Sequence, residues 1–263
     1  MHDRRDNKQR GMKEKIVKRN VTLGSWITLA HPAIAEIMAN AGFDWLTVDL
    51  EHSVITIREA EELIRVIELC GVTPLVRLSS NNSTQIKRVM DAGAHGIIVP
   101  MVNKEEDAVI AVESVKYPPQ GTRGVGLARA QGYGTDFDNY REWLESESIV
   151  IVQIEHIRAV DNMEAIITVA GVDGFIVGPY DLSGSLKVPG DFAHPSVIEA
   201  MQEIKRVAKR LNAAAGYHVV PPDPALVTQK IEEGYSLIAY GVDFLFLGEK
   251  CRAGLEAIRE SMT

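Results

Sequence analysis

The chain has 263 residues, 46% of them hydrophobic and 24% charged, with a formal net charge of -8. That length and apolar share suit one large α/β domain with a substantial core better than two small ones. The acidic balance argues against a nucleic-acid partner, which needs a basic face, and no segment approaches the ~20 apolar residues of a membrane span.

The charge is uneven. Residues 1–19 carry eight Lys or Arg (Arg4, Arg5, Lys8, Arg10, Lys13, Lys15, Lys18, Arg19) against three acids (Asp3, Asp6, Glu14), a local +5 that leaves the remainder at -13. This stretch reads as a basic N-terminal tail running into a short helix, ahead of a single domain over 20–263. It contains no apolar run of signal-peptide length. Cys70 and Cys251 both fall in helical stretches, a pattern for a reduced cytoplasmic compartment with no disulfide framework and no cysteine metal site.

From residue 20 onward, strand and helix patterns alternate. Residues 24–29 form a first strand, and Pro32 opens a helix that ends at Gly42. The second strand covers 45–50 with its helix over 57–69. The third covers 74–78, followed by a helix over 84–92 capped by Ser83. A fourth strand spans 96–101, with its helix over 104–116. Residues 117–127 break regular structure, and 128–140 read as an ordered loop over the active face. Strands five and six span 149–154 and 174–177. A helix over 195–211, a strand over 213–219, a helix over 224–233 and a strand over 236–242 follow. An apolar patch at 244–247 then precedes the last helix, 250–262.

Eight such units predict a (β/α)8 barrel. Strands five and six lack polar alternation, as strands buried on both faces do. A doubly wound open sheet would carry a Gly-rich phosphate turn after strand one, and the sequence TLAHP at 28–32 is not one.

Strands five and six each run into an acid, Glu155 and Asp181. In parallel barrels the carboxyl ends of the strands form the active face, and paired carboxylates there suit a hard divalent cation. The same acids can equally serve as helix caps or loop ion pairs. Asp49, Glu51 and His52 end strand two. A histidine three residues after an acid is a general-base candidate that a carboxylate can orient, against the plainer reading of a structural imidazole. Arg77, inside an apolar run, must pair with a buried acid or face the cavity, where it would hold a carboxylate or a growing oxyanion. Asp91 could simply end its helix, and His218 could contact substrate or make a structural hydrogen bond. No lysine ends a strand between 20 and 243, which argues against imine chemistry.

Five motifs occur together in order: FDWLTVDLEH at 43–52, VPMV at 99–102, YPPQGTRGVG at 117–126, QIE at 153–155 and VDGFIVGPYDLS at 172–183. Over about residues 20–260 the chain resembles the HpcH/HpaI aldolase family of metal-dependent class II pyruvate aldolases, related to the citrate lyase β-subunit. The resemblance implies a phosphoenolpyruvate/pyruvate-type barrel in a homo-oligomer, a hexamer built as a trimer of dimers with the last helix exchanged between subunits. Glu155 and Asp181 would be the ligands of Mg²⁺, Mn²⁺ or Co²⁺. His52 would be the base, acting through a metal-bound water with Asp49 nearby, and Asp91 would pair with that histidine from a neighbouring subunit. Arg77 would lie on the pyruvate oxygen, Gln153 would line the site, and Gly178, Pro179 and Tyr180, up to Asp181, would cradle the pyruvate carboxylate.

The activity implied is cleavage or formation of a 4-hydroxy-2-oxo acid, giving pyruvate and an aldehyde through a metal-stabilised pyruvate enolate. Two alternatives use the same parts: a citrate-lyase-type enzyme acting on a CoA thioester, which would want a basic groove for the nucleotide, and a non-catalytic ligand-binding barrel. The chain departs from the family pattern at LARAQ (127–131), where many relatives have a Ser or Thr, and at GYHVVPP (216–222). Both stretches are expected to face the aldehyde.

Overall fold

Short apolar runs separated by amphipathic ones close into a barrel of eight parallel strands in the computed structural model, which describes residues 11–262. The tail residues Asp3, Arg4, Arg5, Asp6, Lys8 and Arg10 lie outside the described residues. The strands are β1 (Thr22–Ile27), β2 (Trp45–Asp49), β3 (Thr73–Arg77), β4 (Gly96–Val99), β5 (Ile149–Ile154), β6 (Gly174–Val177), β7 (Ala215–Val219) and β8 (Leu237–Val242). They pair in sequence order, and β1 closes on β8. The outer helices are α2 (Pro32–Asn40), α3 (Ile57–Leu69), α4 (Ser83–Asp91), α5 (Glu105–Val115), α6 (Phe137–Ser146), α7 (Ile157–Asp161), α8 (Met163–Ile167), α9 (Pro179–Ser185), α10 (Pro195–Leu211), α11 (Pro224–Glu232) and α12 (Asp243–Ser261), with α1 (Met12–Val17) ahead of the barrel.

Side chains alternate across a strand, so every second residue of each strand points into the barrel. Trp26, Trp45, Leu75, Ile98, Ile149, Ile151, Ile176 and Leu237 form that interior cluster, separate from the larger cluster between strands and helices. Trp45 lies so close to β1 that a Cβ on Gly24 would sit 2.0 Å from its ring, so only glycine admits the indole there. Helix α1 closes the amino end: Met12 and Ile16 join the interior cluster, Lys13 pairs with Asp173 at 3.0 Å, and Lys15 pairs with Asp44 at 2.8 Å. Two lysines of the basic stretch are therefore ties to the strand starts.

Several segments differ from the sequence expectation. Helix α4 starts at Ser83, and its cap is Asn82, whose side chain accepts from the Gln85 N–H at 3.0 Å. Residues 128–140 do not form a loop over the active face. They make a 3-10 turn (Arg129–Gly134) and the start of α6. Arg129 donates to the Ala92 carbonyl at 3.0 Å and pairs with Glu68, and Gln131 donates to the Tyr117 hydroxyl at 2.6 Å. Ala92 and Glu68 lie at the carboxyl ends of α4 and α3, the end of the barrel opposite the active face. Arg129 is thus spent on these helix ends. Helices α7 to α9 are five to seven residues long, too short for a periodic signal.

The last helix begins at Asp243 rather than 250 and absorbs the apolar patch. Asp243 accepts from the Thr28 and Leu29 N–H groups at 2.8 and 2.7 Å, which draws the chain after Ile27 out of the sheet. Beyond its root α12 leaves the barrel: every residue from Glu249 to Met262 is exposed, and Leu247, Leu255 and Ile258 form a bare apolar stripe. The one buried lysine among the described residues, Lys116, is fixed by the Leu144 and Glu145 carbonyls and the Ser148 hydroxyl. Burial lowers its pKa to about 8.

The Glu68 cluster sets a pH dependence. Burial works against the ionised form, but the His95 hydrogen bond and the Arg129 charge outweigh it and hold the carboxyl at about 2 against a usual 4.5. A pKa below the unfolded value means the ionised carboxylate stabilises the fold above about pH 4.5 and loses that contribution as pH falls toward 2. Glu68→Gln is expected to lower the unfolding free energy at pH 7 by about 2 kcal/mol and to flatten the acid limb of stability against pH. Urea titrations between pH 3 and 7 check this, and an unchanged acid limb refutes it.

Candidate active site

The inward parity of the strands carries past their ends and decides what stands at the mouth. In β5 the inward positions are Ile149, Ile151 and Gln153, and the next is Glu155; in β2 they end on Asp49 and in β3 on Arg77. Asp49 and Arg77 are register partners in the β2–β3 ladder. Their side chains meet as a two-point pair, with Arg77 Nε and Nη2 donating to the Asp49 carboxylate at 2.8 and 2.6 Å. Arg77 Nη1 is 3.3 Å from Glu51, and the guanidinium lies 4.3 Å from the centre of the Trp26 ring. Asp49 also accepts from the N–H groups of Glu51 and His52. Burial works to raise the Asp49 carboxyl, and Arg77 with these two N–H groups holds it below the ordinary range.

Glu155 is equally fixed. One carboxylate oxygen accepts from the Met101 N–H at 2.6 Å and the other from the Gln153 amide. Met101 takes a left-handed backbone, φ 54, at the end of β4 to present that N–H, a conformation that costs a non-glycine residue about 1 kcal/mol. The neighbouring strand end must be glycine, because a Cβ on Gly178 would sit 2.8 Å from the Glu155 side chain. Burial, and then the charges of Glu51 and Asp181, push Glu155 up to about 7. Burial, and then the charges of Asp49 and Asp181, push Glu51 up to about 7 against the pull of Arg77.

Two buried polar atoms at this mouth lack a hydrogen bond: Trp26 Nε1, and Glu51 Oε2, whose contact with Arg77 Nη1 at 3.3 Å is an ion pair only. The site thus holds excess negative charge and unspent polar capacity, a chemistry that fits a bound cation and oxygen-rich ligands. Glu155 and Asp181 are the carboxylates that could hold such an ion. Among the described residues no group of three or more His, Cys, Asp or Glu could do so. Two carboxylates leave the other positions of an ion open to water or substrate oxygens.

The other expected residues sort as follows. His52 stands exposed at the rim, its Nε2 3.9 Å from Glu51. Asp181 is exposed in the first turn of α9, and its charge is felt by both Glu51 and Glu155. Tyr180 is exposed and packs edge-on against Phe192. Asp91, in the last turn of α4, is not brought to His52 within the chain; it pairs with Arg123 at 2.8 Å. His218 makes the structural hydrogen bond, with its Nε2 3.0 Å from the Gly241 carbonyl and its ring beside Trp26. Burial lowers its pKa to about 4, so the neutral ring carries its proton on Nε2. Trp26 and Met101 were not singled out from the sequence, and Glu51 was named only as part of the end of strand two, with no role of its own. Parity along β1 would have found Trp26, whereas the Glu51 and Met101 roles depend on loop backbone.

The chain resembles known proteins over most of its length. The family described as HpcH/HpaI aldolase/citrate lyase matches residues 22–247. The hydroxypyruvate/pyruvate aldolase of Cupriavidus necator is 35% identical over 250 residues, covering 94% of this chain and 92% of that protein. The pyruvate aldolase of Rhizobium etli is 38% identical over 242 residues, 92% and 94% of the two chains. The crystal structure of an HpcH/HpaI aldolase/citrate lyase family protein from Burkholderia cenocepacia has a TM-score of 0.89 at 33% identity, covering 95% of this chain and 99% of that one.

Asp49→Ala strands the Arg77 charge in a largely buried setting and is expected to cost about 3 kcal/mol of stability, read by urea unfolding. Replacing both partners, Asp49→Leu with Arg77→Met, should recover most of that loss. A double variant no more stable than Asp49→Ala would refute the view that the pair is held by mutual compensation.

Proposed function

The chain belongs to the HpcH/HpaI aldolase/citrate lyase family, and from that premise we propose a divalent-metal class II aldolase that interconverts a 4-hydroxy-2-oxo acid with pyruvate and an aldehyde. It is a carbon–carbon lyase whose aldolase relatives share 35–38% of its residues over most of its length. The observation that carries the finer reading is the Asp49–Arg77–Glu51 network standing beside the uncompensated carboxylate of Glu155.

Glu155 and Asp181 would hold Mg²⁺, Mn²⁺ or Co²⁺, which supplies Lewis-acid stabilisation of negative charge on the keto oxygen of a 2-oxo acid. The chain's own residues do the rest. Met101 and Gln153 hold the Glu155 carboxylate in one orientation. Arg77 has five N–H donors, of which Asp49 takes two and Glu51 engages a third nitrogen, so others remain for a substrate oxygen. The guanidinium is oriented before substrate arrives, which is the condition for electrostatic stabilisation of a growing oxyanion. His52 at the rim takes the proton of the C4 hydroxyl in cleavage and returns it in condensation. The backbone of Gly178, Pro179 and Tyr180 receives the carboxylate of the oxo acid.

The assembly belongs to the same proposal. A homohexamer, a trimer of dimers, would cover the bare stripe of α12 by exchange between copies and bring Asp91 of one copy toward His52 of the next. Both cysteines are free and exposed, which supports a reducing, cytoplasmic setting. No described helix is long and apolar enough to cross a membrane. No contact at the site favours the CoA-thioester or the non-catalytic reading.

Purified protein is expected to release pyruvate from a panel of 4-hydroxy-2-oxo acids, to stop when a chelator is added, and to resume with Mg²⁺, Mn²⁺ or Co²⁺. Borohydride with substrate should not trap the protein. His52→Ala should lower kcat about 10²–10⁴-fold with the fold intact. Activity that survives chelation, or covalent trapping by borohydride, sinks the proposal.

A further inference from the structure

At the carboxyl end of β7 stands a histidine that no step proposed above uses. His218 and Ala239 are register partners in the β7–β8 ladder, and Ala239 belongs to the interior cluster, so His218 points inward. Its Nε2 donates to the Gly241 carbonyl at 3.0 Å, and the Ser25 hydroxyl donates to the same oxygen at 3.4 Å. That carbonyl stands at a β-bulge. The β1–β8 register passes from Gly24 opposite Ala239 to Trp26 opposite Val242, so β8 carries an extra residue over that stretch. Gly241 lies in the bulge with a left-handed backbone, φ 63, and a Cβ there would collide with the Phe246 ring.

Anchored there, the imidazole lies against Trp26, with ring centroids 5.3 Å apart and planes at 52°. The other neighbour of that indole is the Arg77 guanidinium, 4.3 Å from the ring centre. Trp26 Nε1 has no hydrogen-bond partner, so packing alone sets the tilt of the indole. The charges of Arg77 and Asp49 are both felt at the imidazole, which puts it beside the ion pair. Burial lowers its pKa to about 4, so near neutral pH it adds no second cation there.

We propose that His218 is a positioning residue for Arg77: fixed to the Gly241 bulge, it sets the tilt of Trp26, and the indole sets the plane in which the guanidinium meets the substrate oxygen. The inference rests on the role given to Arg77 above. Asp49 fixes one edge of the guanidinium, and the indole against its face removes rotation about that edge. Orientation passes through the ring contact, whereas the hydrogen bond to Gly241 contributes stability. A group held for an oxyanion loses up to about 10²-fold in rate when it is misplaced by about 1 Å, so a support this close to Arg77 acts on turnover without touching substrate.

Three variants of the full chain separate these roles: His218→Leu removes ring and donor, His218→Phe keeps a ring beside Trp26, and His218→Gln keeps a donor for Gly241. His218→Leu should lower kcat about 10–10²-fold with KM for the oxo acid changed less than about threefold. His218→Phe should recover most of kcat while its Tm stays low, and His218→Gln should recover Tm but not kcat. Exchange of the Arg77 Nε proton, followed by NMR on 15N-arginine protein without substrate, should quicken about tenfold or more in His218→Leu and His218→Gln and stay near wild type in His218→Phe. A kcat that follows Tm through the three variants, or Arg77 exchange unchanged in His218→Leu, overturns the inference. A protein without aldolase activity removes the function proposed above, and the exchange measurement then decides the positioning by itself.

Discussion

The two-point pair between Asp49 and Arg77 is the interaction on which the mouth of this barrel depends. Two charges taken out of water are tolerable only when each satisfies the other, and their position as register partners on adjacent parallel strands gives that geometry without bending the backbone. Trp26 closes one face of the guanidinium, and the N–H groups of Glu51 and His52 close the remaining side of the carboxylate. With its edge occupied, Arg77 can present its other donors in one direction only. A flexible lysine would not inherit this role, because the fork geometry is what the carboxylate matches.

Opposite this balanced pair stands an unbalanced one. Glu51 and Glu155 are both pushed up to about 7, by burial first and then by the neighbouring acids, and each would ionise more readily with a cation nearby. The local backbone is shaped to keep that imbalance. Met101 adopts a left-handed conformation to supply one N–H, and Gly178 forgoes a side chain to make room for Glu155. Such local costs, offset by the rigid barrel around them, mark a site whose charge is arranged for a ligand.

The outside of the barrel is organised by different needs. At the amino end, α1 plugs the interior with Met12 and Ile16 and ties strand starts with lysines, while Arg129 and Glu68 seal the helix ends. At the carboxyl-terminal end of the chain, α12 is rooted by Asp243 and then departs, with an apolar stripe that its own barrel does not cover. A helix of this length is marginal alone in water, so its stability is expected to come from packing on another surface.

The eight strand and helix units, the barrel and the position of Glu155, Asp49 and Arg77 at strand ends were legible in the sequence, because periods of two and 3.6 and the run of apolar residues are local properties. The same parity would have named Trp26, and His218 was already a candidate from the sequence. What only the tertiary structure decided is what each group meets. Glu51 becomes a buried partner of Arg77, His218 a neutral support on a carbonyl, and the 128–140 segment a seal on the far end of the barrel rather than a cover for the mouth. Those outcomes depend on contacts between residues 20 to 60 positions apart in the chain, and the free energy of a charge or a polar side chain is set by such distant neighbours and by burial, which no local pattern encodes.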